Sequence, residues 1–314
     1  MDLESDNTSM NTSMTMPPLA GKPLEPPQFL KTDWKIGDKF QEKDDIDRAK
    51  TPWRLPSFLS TTSSEKSPRL TNATVEQRLL PAPQSKKTNI GGVIRNIVSK
   101  GTPETEETTT FASIIRNVLS QEQCAEMISC INSKGFTPAL LNVGGGFQVY
   151  APNVRDGNRA IVDSPEMARY LLDVLRPHLP ERIGDMQLVD VNERLRFLCY
   201  KPGQTFKLHT DGMYQRPATE GQQHAGAENA GDLSMITVQL YLHDIPKEFG
   251  GATAFFPPES IGDRVAYQPE AGSVLLFTQD LPHEGSRVEQ GIKYTVRTEV
   301  MYRLGELNTI RTGT

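Results

Sequence analysis

Three side chains of this 314-residue chain have the types and spacing to hold a metal. His209 and Asp211 stand two apart in FKLHTDG, and residues i and i+2 of a strand point to one face. One imidazole and one carboxylate would therefore project together at a strand end, just before Gly212. His283, in DLPHEG, follows the apolar run GSVLLFT and offers a second imidazole. Two His and one carboxylate on a single face leave three positions open on an octahedral ion, the arrangement used by iron(II) oxygenases. An isolated HxD is common as a surface pair or a satisfied polar cluster, so a further element is needed. It lies ten residues beyond His283, where Lys293, Thr295, Arg297 and Glu299 alternate along one strand face. Lys, Arg and Glu are seldom fully buried unless paired. A cation on the inner face of a barrel needs an anion; the same residues on an outer face would be an exposed ladder of Arg297 against Glu299. Spacing alone leaves both open. The other histidines, His178, His224 and His243, read as structural or solvated.

Four segments in order then carry a family likeness: NERLRFLCYKPGQTFKLHTDG, TVQLYLHDIPKEFGGATAFFP, PEAGSVLLFTQDLPHEGSRV and GIKYTVRTEVMY. Over roughly residues 111–303 the chain resembles the prolyl 4-hydroxylase-type branch of the 2-oxoglutarate and iron(II)-dependent dioxygenases. The resemblance implies iron(II) held by His209, Asp211 and His283, with 2-oxoglutarate and O₂ as co-substrates and ascorbate as reductant. It implies that Lys293 grips the far carboxylate of 2-oxoglutarate and that Tyr200 hydrogen-bonds it. Arg297, further along the strand, would share that carboxylate or steady Glu299. Halogenating relatives lack the carboxylate ligand, so Asp211 implies hydroxylation. The implied substrate is a prolyl residue of a peptide or protein, with a small molecule or free amino acid as the alternative. Two rivals remain: a cupin-type enzyme that needs no 2-oxoglutarate, and a non-catalytic jelly-roll metal-binding or interaction module.

The elements that must position these residues follow helix-then-strand order. In LSQEQCAEMISCINSKGF, Ser120 and Gln123 form a capping box, Cys124, Met127, Ile128 and Ile131 recur at helical spacing, and Gly135 stops the helix. A second helix is predicted from Ser164 and Pro165, with Met167, Leu171, Leu172 and Leu175 on its apolar face. After Leu188 come short β-branched and aromatic runs separated by Gly, Pro and Asp. The expected class is α+β: a double-stranded β-helix (jelly roll) with N-terminal supporting helices and a disordered N-terminal tail. Residues 213–232, polar and Gly-rich, read as a mobile loop over the site entrance. Arg194 and Arg196 precede Tyr200 on its face, although Arg194 also fits a paired surface cluster with Asn192 and Glu193. Thr237, Gln239 and Tyr241 should line the barrel, and Asn158 and Arg159 could reach the substrate side.

Residues 1–90 read as a disordered or weakly ordered region, and 91–314 as the dioxygenase domain. Within the first region, DWKIGDKF and TPWRLPSFL hold both tryptophans, Trp34 and Trp53, so they read as sticky residues of a tail or as a segment that docks on the domain or a partner. The net charge of −5 and the lack of a dominant basic stretch argue against nucleic acid. No apolar run is long enough to span a bilayer, and the first residues do not resemble a secretory signal. Cys124, Cys130 and Cys199 are too few for a disulfide framework. The expected location is intracellular, in the cytoplasm.

Overall fold

Helix α1 (Gln121–Lys134) begins where Ser120 and Gln123 cap each other reciprocally: the Gln123 amide donates to Ser120 Oγ, and the Ser120 amide to Gln123 Oε1. Its Cys124, Met127, Ile128 and Ile131 are buried, and Gly135 ends it with φ near 80°, a conformation that favours glycine. Helix α2 (Pro165–Leu175) is capped by Ser164, whose hydroxyl accepts from the Met167 amide. It buries Met167, Ala168, Leu171 and Leu175; Leu172, expected on that face, is only partly covered. These features belong to a computed structural model that describes residues 24, 26–41, 53–60, 74–78, 111–216, 231–256 and 264–305.

Most of the remaining described chain is strand. Strands β1 (Lys39–Gln41), β2 (Thr74–Arg78) and β3 (Ala112–Arg116) precede α1. Between the helices lie β4 (Thr137–Pro138), β5 (Leu141–Gly144), β6 (Phe147–Val149), β7 (Arg155–Asp156) and β8 (Asn158–Asp163). After α2 come β9 (Arg182–Ile183), β10 (Met186–Val191), β11 (Arg194–Tyr200) and β12 (Thr205–His209). Then follow β13 (Leu233–Tyr241), β14 (Thr253–Phe255), β15 (Val265–Tyr267), β16 (Val274–Thr278), β17 (His283–Gly285) and β18 (Lys293–Leu304).

A large antiparallel sheet runs β2-β3-β16-β13-β18-β11-β8-β4, with β10 also on β18 and β9 on β10. A smaller one runs β15-β14-β17-β12-β7. Strand alternation gives the large sheet two different faces. Leu195, Phe197 and Cys199 of β11, Val238 and Leu240 of β13, and Tyr294, Val296 and Val300 of β18 join the helices in the main apolar core. The opposite faces of those strands look toward the smaller sheet, where Tyr241, Leu275 and Phe277 meet Phe255 and Tyr267. The result is a jelly-roll-like pair of sheets, backed by helices on one side and open to a cavity between the sheets. Among the described residues, no helix is long and apolar enough to cross a membrane.

Parts of the N-terminal region depart from the expected disordered tail. β1 pairs with β6, and Trp34 packs against Phe40 and Tyr150. Trp53 meets Phe197 edge-on, Phe58 meets Tyr170, and Ser57 donates twice to Glu126 of α1. A few aromatic residues in a polar stretch thus suffice to fasten it, because the domain supplies apolar partners that local composition cannot reveal. The docking alternative, on the domain itself, describes these two segments. The rest of residues 1–90, and residues 217–230 of the predicted entrance loop with His224, lie outside the described residues.

Candidate metal centre

Cross-strand register assembles the three predicted ligands. β12 and β17 pair antiparallel with His209 directly opposite His283. Asp211 follows β12 by two residues, and its amide donates to the Gln279 carbonyl at 2.9 Å. The result is a cluster of His209, Asp211 and His283 whose ligand atoms all lie within 4.8 Å of one another. Nε2 of His209 is 3.9 Å from Asp211 Oδ1, and Nε2 of His283 is 3.9 Å from Asp211 Oδ2. Two donors sharing one ion at about 2.1 Å each lie no more than about 4.2 Å apart, and both His–Asp separations meet that limit.

Tautomers and charge states also suit a metal. Nδ1 of His209 lies 2.7 Å from the Lys207 carbonyl, and Nδ1 of His283 lies 2.9 Å from that of Leu281. A carbonyl only accepts, so Nδ1 carries the proton and Nε2 keeps its lone pair. Burial, then the neighbouring His283, lowers the His209 pKa to about 3; burial also lowers that of His283. Both rings are therefore neutral near pH 7. Burial alone would raise the Asp211 carboxyl, but Arg297 foremost, then His283 and the Thr237 hydroxyl, outweigh it and hold it below the usual carboxylate range. Thr237 donates to Asp211 Oδ2 at 2.6 Å, and Arg297 reaches Asp211 Oδ1 at 3.1 Å. Phe206 stacks on His209 with ring centroids 3.5 Å apart, and Phe277 meets His283 edge-on.

The site opens into a cavity of about 560 Å³ between the sheets. Tyr200 and Lys293 face each other in the β11–β18 register, and both line it. Lys293 is only 2% exposed, which decides against the exposed ladder. Its ammonium lies 5.7 Å from the Tyr200 ring and 5.8 Å from that of Tyr241. Among the described residues, no carboxylate lies within ion-pair distance of it, and burial lowers its pKa to about 7. Burial likewise raises that of Tyr200. Glu299 is buried too, receiving Arg196 at 2.8 Å, Arg297 at 2.7 Å and the Asn192 amide at 3.1 Å. Arg297 and Glu299 of β18 thus point inward as a network, with Lys293 outside it.

The other predicted residues divide. Arg196 and Gln239 line the cavity, while Arg194 turns away to a two-pronged pair with Asp163. Tyr241 is buried and donates to Thr253. Asn158 donates to the Cys199 carbonyl and to Gln204, and Arg159 reaches Gln148 at the cavity wall. His243 accepts from the Tyr294 amide, a structural role, and His178 sits in a short 3-10 turn after α2. Sequence reading missed Arg155, Phe206 and Gly157. A Cβ on Gly157 would come within 2.6 Å of the Tyr200 ring, so only glycine lets that ring approach.

A family model described as the 2OG-Fe(II) oxygenase superfamily matches residues 195–298, the stretch from β11 into β18 that carries the whole triad and Lys293. The chain carries a 2OG-Fe(II) oxygenase domain. None of the curated proteins matches the chain. Among solved structures, the oxygenase is similar to a Trichoplax adhaerens prolyl hydroxylase bound to a hypoxia inducible factor peptide fragment, at 20% identity and a TM-score of 0.44, over 60% of this chain and 82% of that one. It is also similar to a Pseudomonas putida prolyl-4-hydroxylase, at 18% identity and a TM-score of 0.43, over 60% of this chain and 91% of that one. A third likeness is to a viral collagen prolyl hydroxylase of Paramecium Bursaria Chlorella virus-1, at 19% identity and a TM-score of 0.42, over 60% of this chain and 95% of that one.

Proposed function

We propose that this oxygenase hydroxylates a prolyl residue of a peptide or protein, on a double-stranded β-helix that holds iron(II) through His209, Asp211 and His283. The observation that carries the reading is the pairing of two features in one cavity: two neutral, pre-oriented imidazoles beside the Asp211 carboxylate, and a buried lysine with no carboxylate partner among the described residues. A jelly-roll metal protein that takes up no anion has no use for the second feature. Iron(II), when bound, supplies the activation of O₂ coupled to decarboxylation of 2-oxoglutarate, with ascorbate as the reductant that keeps it ferrous.

The chain's residues orient and neutralise. The backbone carbonyls behind His209 and His283 fix both rings with Nε2 forward. Thr237 and Arg297 hold the Asp211 carboxylate in one orientation and keep it ionised. Lys293 pairs the far carboxylate of 2-oxoglutarate, and Tyr200 adds a hydrogen bond from the opposing strand. Arg297 is already engaged by Asp211 and Glu299, so its role is to position the ligand rather than to grip the co-substrate. Phe206, Phe255 and Phe277 exclude water behind the histidines.

The test is succinate formation from 2-oxoglutarate by the purified chain with iron(II). Wild type is expected to form succinate and Asp211→Ala none, with a matching loss of metal binding in a titration. Full turnover by Asp211→Ala would sink the ligand assignment.

A further inference from the structure

Arg155 is a cavity-lining cation that none of the roles above employs. It stands on β7, the edge strand of the smaller sheet, opposite Phe206 in register. Its guanidinium lies 4.7 Å from the Phe206 ring centroid, and that ring in turn stacks on the ligand His209. One nitrogen, Nη1, donates to the Leu140 carbonyl at 3.0 Å, which fixes the fork. The remaining edge makes no hydrogen bond among the described residues, and Nε is buried without a partner. No carboxylate among the described residues pairs with Arg155 either. A buried donor left unmade is costly and calls for an explanation.

The charge balance of the cavity points the same way. The lining carries five cations, Arg155, Arg159, Arg196, Lys293 and Arg297, against the carboxylates Asp211 and Glu299; Arg159 donates to the neutral Gln148 amide. Arg196 and Arg297 are bound to those two carboxylates. Iron(II) would add two positive charges and 2-oxoglutarate would bring two negative ones, with Lys293 as the partner of its far end. The loaded cavity then stays positive, and Arg155 is a cation with no carboxylate partner among the described residues. It enters from the smaller sheet while Lys293 enters from the larger.

Resting on the proposed 2-oxoglutarate chemistry, we infer that the oxidised substrate itself carries a carboxylate and that Arg155 anchors it beside the metal centre. A guanidinium with one edge unengaged matches a carboxylate two oxygens at a time, and its stacking on Phe206 ties that anchor to His209. Arg155 is thus a specificity-determining residue. Its ligand is either the terminal carboxylate of a free amino or imino acid, or an acidic side chain next to the hydroxylated residue of a peptide.

The test pairs each carboxylate with its amide on the full chain loaded with iron(II) and 2-oxoglutarate. The probes are L-proline against L-prolinamide, and a prolyl peptide with Glu beside the proline against the same peptide with Gln. Succinate release without any probe, measured first, examines the parent chemistry by itself; if wild type releases none, that chemistry fails rather than the anchor. The expected result is that, in at least one pair, the acid exceeds its amide about tenfold or more in kcat/KM for stimulated turnover. Which pair responds identifies the free acid or the peptide as the source. Arg155→Gln should bring that ratio close to one by raising KM for the acid, with KM for 2-oxoglutarate moving less than about twofold. Arg155→Lys, which keeps the charge, should retain part of the preference and serves if the Gln variant does not fold. Equal use of acid and amide in both pairs overturns the inference. So does a preference that survives Arg155→Gln, or a KM for 2-oxoglutarate that rises as much as that for the acid.

Discussion

Arg297 and Lys293 point from the same face of β18 into one cavity, four residues apart, yet their surroundings are opposite. Arg297 sits between two carboxylates, with Asp211 on one side and Glu299 on the other. Lys293 has two aromatic rings and, among the described residues, no carboxylate. The first is a cation whose partners are built into the fold. The second is one for which the described fold builds in no charged partner. Burial acts against both charges, but only at Lys293 does it win, lowering the pKa; at Arg297 the neighbouring carboxylates reverse it. A static, satisfied network and a waiting charge can thus lie side by side on one strand.

Removing each cation should have opposite consequences. The largest effect is expected from Arg297→Gln, which takes a charged partner from each of two buried carboxylates. Breaking such a pair costs about 3 kcal/mol or more, or roughly 6 °C or more in melting temperature for a domain of this size. Metal affinity should also fall about 10- to 100-fold, since Arg297 steadies the Asp211 ligand. A melting curve and a metal titration read both, and an unchanged melting temperature would show that the network is not holding the site.

Lys293→Met should leave the empty protein as stable as wild type or more so, while raising KM for 2-oxoglutarate by about 10- to 100-fold. A drop in stability with unchanged KM would make Lys293 structural and erase the contrast with Arg297.

A smaller effect comes from pH, and it also has two signs. The Lys293 pKa is about 7 in the folded, empty site, well below that of an exposed lysine. The unfolded chain therefore holds more protons than the folded one between pH 7 and about 10.4, and stability rises with pH across that window. From pH 7 to 8 this group contributes about 1 kcal/mol of added stability. Over the same step, affinity for 2-oxoglutarate should fall about fivefold, because the bound carboxylate needs the ammonium form. Calorimetry in two buffers at pH 8 should show proton uptake on binding, absent in Lys293→Met. Affinity that stays flat from pH 7 to 8 would place the co-substrate elsewhere.

His209 with Asp211, and Lys293 with Arg297, were legible because strand periodicity is short-range, whereas His283 meets the first pair only through the register of two strands. His209 and Asp211, or Lys293 and Arg297, need only the chain's own alternation to share a face. Glu299 was half legible: its face was predictable, but burial with Arg196 and Asn192 depends on β11 lying beside β18. Arg155 was invisible. Its strand is two residues long, too short for a pattern, and its significance comes from Phe206, fifty-one positions later in the chain. The docked segments around Trp34 and Trp53 were half hidden for the related reason that their apolar partners are supplied by distant strands and helices.

The edge-to-face contact of Trp53 with Phe197 has a practical side for protein engineering. The matched oxygenase stretch begins at residue 195, on β11. A fragment excised at that boundary would lose β8, baring one edge of β11 to any strand that can zip onto it. It would also lose β7 and the indole that shields Phe197. Fusion partners and truncations are therefore better joined upstream of Trp53, so that the transplanted unit keeps its own cover.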